Sequence, residues 1–588
     1  MNTEQLHDHL SDAAVANIEK WLTEPKYAEY KDELNAMIEK SEWQALEDAF
    51  FKVIEFGTGG RRGTTGVGSN RINRVTIGES TQALCQYALT FDENAASKGV
   101  VIACDTRLSS EELSTYAASV CAANGFKTYI FESFRSTPEL SFAVRHLGCA
   151  AGIVISASHN PPADNGFKAY WSDGGQLVAP HDKGVLAAAD KITEIFSTGY
   201  STAVSNGQIT VISEEIDTAY IDAVLAQAEG SDRDVTIVYS PLHGAGQRNT
   251  LPVLEKAGFT VSSVVAQMVP DGHFPTIENG KPNPEERAAN DQAVAQMMAE
   301  KADIAVTNDP DADRIGVMVR HHDAPVYLTG NQSAVLAAEY TLRKKHEKSE
   351  LTGNEFIAKT IVTTDMFTAL ADAYHVKCYG NLLIGFKYIG ELILKLEGKE
   401  TFLIGGEESY GLLKGDYARD KDGAVGALPL AEYAAELKKD GKTLYDRLLE
   451  LYAEHGVYIE RLDTVECPGA NGFEQMQHIM NTLRATPITE IHDQTVTAVI
   501  DYQTLIRTDL STRETTKVDC ITGNVIVLEC NNDPRCRFTI RPSGTEPKLK
   551  IYSQWYEDVT SDVEAQYGGL SHKLESLGES LEGILLSI

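Results

Sequence analysis

Val154-Ile155-Ser156-Ala157-Ser158-His159-Asn160-Pro161-Pro162 sets an exposed hydroxyl at the end of an apolar run. The run begins at Ala151, and a short apolar stretch that ends on polar residues reads as a strand buried in a parallel sheet. Upstream, Gly99-Val100-Val101-Ile102-Ala103-Cys104-Asp105 and Thr128-Tyr129-Ile130-Phe131 have the same form. Helical periods over Glu111–Ala123 and Pro138–Leu147 separate the three runs. Strand, helix, strand, helix, strand predicts a βαβ series with a right-handed parallel sheet. Ser158 then falls just past the carboxyl end of a strand, where open α/β sheets bind ligands.

Working outward, the alternation recurs twice. Val235–Tyr239 opens a second unit, with helices after Gly246 and over Glu285–Lys301, and the strand Ile304–Thr307 delivers Asp309-Pro310-Asp311-Ala312-Asp313-Arg314. A third unit has helices near Gln332–Lys345, Phe367–Tyr374 and Phe386–Leu396, a strand over Glu355–Thr363, and a strand Thr401–Ile404 that delivers Gly405–Ser409. The three share a pattern without a residue-level repeat. From about residue 456 strand-like runs dominate (Val496–Tyr502, Gly523–Glu529, Arg537–Ile540, Leu549–Gln554), closed by a helix near Asp562–Leu577, which reads as a smaller α+β domain. Residues 10–50 read as amphipathic helices that clamp onto the α/β segment after them: Ala14, Ile18, Trp21 and Leu22 share one face, and Leu46, Phe50 and Val53 another.

The chain has 588 residues, enough for several domains, and its 43% hydrophobic and 23% charged residues are those of a soluble protein with an ample core. With 52 basic and 85 acidic residues the net charge is −33, a field that repels nucleic acid and anionic membranes. An anionic substrate would need basic islands, and Arg61-Arg62, Lys168, Arg314, Lys387, Lys421 and Arg541 supply them in loops. The nine cysteines are scattered with no CxxC pair, which disfavours zinc and disulfide frameworks and points to a reducing, cytoplasmic compartment. Neither a secretory signal nor a membrane span is expected.

Four loops carry the chemistry. Ser158 reads as a nucleophile that needs a base or metal, or, phosphorylated, as the donor of the group to be transferred. A turn serine before Asn-Pro is the plain alternative, and Asn165-Gly166-Phe167-Lys168 downstream weighs against it. Lys168 suits a general acid/base or a phosphate contact. Asp309, Asp311 and Asp313 alternate, so in an extended loop they point one way and converge on a hard cation. An EF-hand is excluded, because its required Gly and Glu positions hold Arg314 and Arg320. Mg²⁺ on three Asp oxygens and a phosphate oxygen suits phosphoryl transfer, with Arg314 beside it. Glu407 and Ser409 can face a sugar together, although helix capping explains them equally well. Ala418-Arg419-Asp420-Lys421-Asp422-Gly423 follows, with Lys421 in reach of a phosphate or a moving proton. Arg541-Pro542-Ser543-Gly544-Thr545 combines a guanidinium, two hydroxyls and backbone N–H groups in an anion nest. Phe56–Gly63 is a basic loop that lacks a dinucleotide fingerprint, and His243 reads as structural.

With these four motifs, over almost its whole length, the chain resembles the α-D-phosphohexomutases, most closely the bacterial phosphoglucomutase (phosphoglucomutase/phosphomannomutase) branch of this size. The resemblance implies an α/β fold of three consecutive α/β domains with mixed sheets and a smaller C-terminal α+β domain, around a central cleft to which each domain gives one loop. The domains are expected at residues 1–205, 206–325, 326–455 and 456–588. Ser158 matches the family's phosphoserine, itself a metal contact; Asp309, Asp311 and Asp313 match its Mg²⁺ ligands, one ion per site. Glu407 and Ser409 match its sugar pair; Arg541, Ser543, Gly544 and Thr545 its phosphate loop. Arg62, His159, Lys168 and Lys421 match further catalytic positions, Gly385-Phe386-Lys387 a specificity loop, and Arg419 and Arg314 substrate contacts. Ile384 stands where many members have Thr, Pro310 where Gly is common, and Tyr410-Gly411 where some members place a catalytic His, leaving Lys421 as its substitute. The implied reaction interconverts glucose 1-phosphate and glucose 6-phosphate, with a sugar 1,6-bisphosphate as intermediate and activator. Mannose or pentose phosphates, a metal-dependent phosphatase and a non-catalytic sensor are the alternatives. The expected partner is a phosphorylated sugar, with no nucleic acid or membrane, and the chain a monomer or weak homo-oligomer.

Overall fold

The structure, a computed structural model, describes residues 4–55, 60–468, 472–544 and 547–588. Its strands form four sheets among the described residues. The first contains β1 (Arg61–Thr64), β2 (Val100–Cys104), β3 (Thr128–Phe131), β4 (Ala151–Ile155), β5 (Asp164–Trp171) and β6 (Ile209–Ile212), in the order β1-β5-β4-β2-β3-β6. The expected parallel pairing holds for β2, β3, β4 and β6. β5, which the sequence reading did not nominate as a strand, runs antiparallel to β4 and β1, so the sheet is mixed, as the resemblance implied. The chain after Ile155 has too few residues before Asp164 to make a helical crossover, and it turns straight back.

The second sheet holds β7 (Thr236–Ser240), β8 (Thr260–Ser263), β9 (Ile304–Asn308), β10 (Ile315–His321) and β11 (Ala324–Leu328), in the order β11-β10-β9-β7-β8. The third holds β12 (Glu355–Thr360), β13 (Lys377–Leu382), β14 (Thr401–Gly406) and β15 (Leu412–Lys414), in the order β13-β12-β14-β15. Each repeats one device: a buried parallel strand, a loop, and an antiparallel return, as in β4–β5, β9–β10 and β14–β15. The fourth sheet is antiparallel, built from β16 (Val457–Glu466), β17 (Glu490–Ile491), β18 (Gln494–Asp501), β19 (Ile506–Asp509), β20 (Thr515–Lys517), β21 (Ile526–Cys530), β22 (Asp533–Pro542) and β23 (Lys548–Glu557). Its phosphate-loop candidate joins the antiparallel pair β22 and β23. All four sequence-nominated loops are therefore hairpin connections.

The expected limits at residues 205 and 325 each cut a sheet, because β6 pairs with β3 and β11 with β10. The limit at 455 falls between the helix Leu444–His455 and β16. The N-terminal helices Asp12–Thr23 and Trp43–Phe50 bury Ala14, Ile18, Trp21, Leu46 and Phe50 against Val67 and Val75, the clamp expected of them. Val53 lies beyond the end of its helix and is exposed, so it does not share that face. The last helix runs from Val563 to Leu586, past its expected end, with Leu570, Leu574, Leu577, Leu581 and Leu585 buried along one face. Among the described residues no helix is long and apolar enough to cross a membrane.

Candidate active site

Ser158 was expected to be exposed; it is buried, in a left-handed conformation (φ 51°). Backbone strain of this kind persists only where the surroundings hold it. Its N–H donates to Ser156 Oγ at 2.8 Å, and its Oγ donates to Asp309 Oδ2 at 2.5 Å and lies 3.2 Å from His159 Nδ1. The holding group is Arg107, which the sequence did not nominate. Its guanidinium donates to the carbonyls of Ser158 (2.7 Å), Pro161 (2.7 Å), Asp164 (2.9 Å) and Asn160. Asp105, at the end of β2, anchors it through an ion pair at 3.2 Å and a bond from the Arg107 N–H at 3.0 Å. An Asp-x-Arg just past a strand was the only sequence signal. Arg62, on β1, donates to Asn160 Oδ1 at 3.3 Å.

Asp309, Asp311 and Asp313 are fully buried, and their ligand oxygens gather within 4.8 Å of one another. They do not do so by alternation. An extended chain would carry the first and third about 13 Å apart. Instead Ala312 takes φ 53° and its N–H closes a turn on Asp309 O at 2.9 Å. The turn rests on the loop after β7: Ala245 N–H donates to Pro310 O at 2.8 Å, and a Cβ on Gly244 would stand 2.3 Å from Pro310 Cα. Asp311 Oδ2 accepts from Lys168 Nζ (2.5 Å) and Thr137 Oγ1 (2.8 Å); Asp313 Oδ2 meets Lys421 Nζ at 2.9 Å and Lys168 Nζ at 3.6 Å. The other oxygens, Asp311 Oδ1 and Asp313 Oδ1, are buried with no hydrogen-bond partner. Burial, then Asp313 and Asp311, push the Asp309 carboxyl well above the usual range. Burial also opposes ionisation of Asp311, but Lys168 outweighs it and holds that group low. An all-oxygen trio with two buried oxygens that accept no hydrogen bond fits a hard divalent cation such as Mg²⁺.

Around the trio stand the other nominated groups. Arg314 N–H donates to Asp309 Oδ1 at 3.1 Å, while Nη1 donates to Glu285 Oε1 at 2.7 Å. Burial disfavours its charge, yet Glu285 and the aspartates keep it firmly cationic. Lys421 is likewise held charged against burial by Asp313, Asp420 and Glu407. Its side chain passes over Gly411, where a Cβ would meet Lys421 Cδ at 2.3 Å; this is the physical reason Gly follows Tyr410. Tyr410 O accepts from Ile315 N–H at 3.0 Å and so fastens the sugar-loop candidate to the exit of the aspartate loop. Glu407 is buried, and burial with Glu408 lifts its carboxyl to about 8 against the pull of Lys421 and Arg314. Burial, with Arg314 and Arg62, drives His159 well below the ordinary imidazole value.

Ser409 is half-buried on the same turn as Glu407. Gly385 takes φ 126° ahead of Lys387, the first residue of the helix Lys387–Leu396. Burial lowers the Lys387 ammonium, Asp182 opposes, and Arg541 adds to the lowering, which puts Lys387 within the field of Arg541. Arg541 pairs across the sheet with Lys550, a basic residue that sequence reading passed over. Ser543 N–H closes the hairpin on Lys548 O at 2.8 Å, and among the described residues a Cβ on Gly544 would meet nothing within 4 Å. Thr545, and Phe56–Gly59 of the basic loop, lie outside the described residues. Arg419 departs from expectation. Its buried guanidinium donates to the carbonyls of Asp416 and Ala418 and to Glu397, and its N–H donates to Ser141 Oγ, so it braces its own loop away from the trio. His243 is structural: its ring nitrogens meet Val269 O and Thr276 Oγ1, both at 2.8 Å.

Three family models match the chain in order: phosphoglucomutase/phosphomannomutase alpha/beta/alpha domain I over residues 53–196, domain II over 218–322 and domain III over 329–453. A phosphoglucomutase of Staphylococcus epidermidis is 33% identical over 506 residues, which cover 85% of this chain and 90% of the relative. One of Staphylococcus aureus is 32% identical over 527 residues, covering 88% and 93%. Among solved structures, Paramecium parafusin, a phosphoglucomutase in its open form, superposes with a TM-score of 0.64 at 16% identity, covering 90% of this chain and 96% of that one. A phosphoglucomutase/phosphomannomutase family protein of Burkholderia thailandensis gives 0.61 at 17% identity, covering 88% and 96%. These two share the fold. With its three matched α/β domains, its serine beside a buried aspartate trio, and relatives matched over most of their length, the chain belongs to the phosphoglucomutase/phosphomannomutase family.

Proposed function

We propose that the chain is a phosphoglucomutase that interconverts glucose 1-phosphate and glucose 6-phosphate through phospho-Ser158. The observation that carries this reading is the 2.5 Å approach of Ser158 Oγ to Asp309 within a trio that keeps two buried oxygens without a hydrogen-bond partner. Asp309, Asp311, Asp313 and an oxygen on Ser158 would hold Mg²⁺, which when bound offsets the charge of the phosphoryl group in flight. The chain does the rest. The Ser158 Oγ–P bond breaks as a free hydroxyl oxygen of the sugar bonds to phosphorus, and that hydroxyl gives up its proton. Arg314 and Lys168 face the phosphoryl group; the proton given up by the hydroxyl is matched by one taken up at the departing Ser158 Oγ, and Lys421 Nζ, held charged beside Glu407, is the proton donor when a phosphoryl group leaves a sugar oxygen. The bisphosphate turns end for end, and its other phosphoryl group returns to Ser158 Oγ. Glu407 and Ser409 take the sugar hydroxyls, Lys387 and Gly385 read its orientation, and Arg541, Ser543, Gly544 and Thr545 hold the distal phosphate. Glucose 1,6-bisphosphate loads Ser158.

The domains of this reading end near Ile212, Leu328 and His455, where the sheets break. Nine free cysteines suit the cytoplasm. Phosphorus NMR on the purified chain with Mg²⁺, a trace of glucose 1,6-bisphosphate and equal glucose and mannose 1-phosphates tests the function. Faster appearance of glucose 6-phosphate is expected. Faster mannose conversion would reassign the sugar, and release of inorganic phosphate alone would replace the mutase with a phosphatase.

A further inference from the structure

We propose that His321, His322 and Asp446 form a second metal site, for a divalent transition ion of the zinc class. Among the described residues only two groups of three such side chains bring their ligand atoms within 4.8 Å of one another: the aspartate trio and this one. The two are at opposite ends of β10. Asp313 lies just before its first residue and His321 is its last, about 20 Å further along the strand. The donors also differ in kind. Imidazole nitrogens suit zinc, copper or nickel, whereas the all-oxygen trio suits Mg²⁺, so the two sites sort two classes of metal.

The local backbone brings the rings together. His322 and Asp323 form the two-residue turn between β10 and β11 with φ of 47° and 60°, left-handed values at both positions. Such turns favour Asn, Asp and Gly, and His and Asp are among the non-glycine residues that take this conformation most readily. The turn sets the ring of His322 3.9 Å from that of His321. Tyr445 walls the other side, 5.1 Å from His321 in an edge contact.

Facing them is the first turn of the helix Leu444–His455 in the third unit. His321 Nδ1 lies 3.6 Å from Asp446 Oδ2 and 3.1 Å from Thr443 Oγ1. Asp446 Oδ2 already accepts the Thr443 N–H and hydroxyl, both at 2.7 Å, as part of a capping box. Those bonds orient the carboxylate, which offers an oxygen within 4.8 Å of the imidazole nitrogens. Zinc–nitrogen and zinc–oxygen bonds of about 2.0–2.2 Å need donors about 3.3 Å apart, within a side-chain rotation of the present separations. The ion would bolt the hairpin of the second sheet to the helix that leads directly into β16.

The test uses the full chain, stripped with chelator and kept in excess Mg²⁺ so that the trio is engaged. Zn²⁺ is titrated by calorimetry and Co²⁺ by visible absorption. One equivalent of Zn²⁺ is expected, with affinity falling at least about tenfold in His322→Ala and in Asp446→Asn. Bound Co²⁺ should show the spectrum of a histidine-ligated ion, lost in His322→Ala. No uptake by the parent, or equal uptake by His322→Ala, overturns the proposal. His322 is exposed and takes no part in the cap, so that variant decides the matter even if Asp446→Asn fails to fold.

Discussion

The loop around Ser158 and the loop around Ser543 are both hairpin connections, yet they are built to opposite plans. The first is strapped at four carbonyls by one buried arginine, pinned in a left-handed conformation and packed against three carboxylates. In the second, Ser543 N–H donates to Lys548 O, and among the described residues a Cβ on Gly544 would meet nothing within 4 Å. A phosphoryl group in transfer demands fixed geometry, because misplacement by an ångström loses much of the advantage of proximity. A substrate that must bind in two orientations demands a holder with room. The contrast therefore separates a region made for chemistry from one made for holding.

The largest expected effect tests the first half. Ser158→Ala should lower turnover of glucose 1-phosphate by at least about 10⁴-fold in a coupled assay. Calorimetry should find sugar-phosphate binding retained. A variant within tenfold of the parent would remove Ser158 as the carrier. Next, Arg107→Ala should lower kcat about 100-fold while KM moves little, since the arginine shapes the loop and touches no substrate. It should also lower the melting temperature, because Asp105 would be left buried without its partner. A large rise in KM with kcat intact would erase the contrast.

Arg541→Ala should do the reverse and raise KM about 10- to 100-fold, the loss of one charged hydrogen bond, with kcat changed only a few-fold. The smallest effect is on pH. Glu407 can accept sugar hydroxyls from both carboxylate oxygens only when ionised, so KM should fall as pH rises through about 8, and Glu407→Gln should flatten that limb. The sign for stability is opposite. A carboxyl lifted above its ordinary 4.5 favours folding fully below that pH and loses the contribution as pH climbs through 8. Urea titrations of parent and Glu407→Gln at several pH values would show it.

Much of this was legible in the sequence because strand ends and loop composition are local. Val154–Ile155 followed by Ser158, and Ile304–Thr307 followed by three aspartates, need no tertiary knowledge to read. What escaped was long-range. Arg107 acts on residues over fifty positions away, Thr137 reaches Asp311 from a helix N-terminus, and Lys550 gains meaning only from its register with Arg541. β5 was also missed: its residues were read only as the Asn165–Lys168 motif, although Asp164–Trp171 is a strand. The aspartates were found for an imperfect reason: alternation named them, but a turn at Ala312 assembles them. Arg419 and Lys421 look alike in one loop, and only packing shows that one braces the loop while the other reaches the carboxylates.

The two lysines on the aspartates have a consequence for ancestry. Asp311 is met by Lys168 of the first unit and Asp313 by Lys421 of the third, while the carboxylates belong to the second. A gene fragment encoding the second unit alone would inherit the three aspartates and Arg314 without either lysine. Three similar α/β units suggest modules that can be cut and reshuffled, but their shared charge ties them: recombination between them must carry all three together to keep these ion pairs.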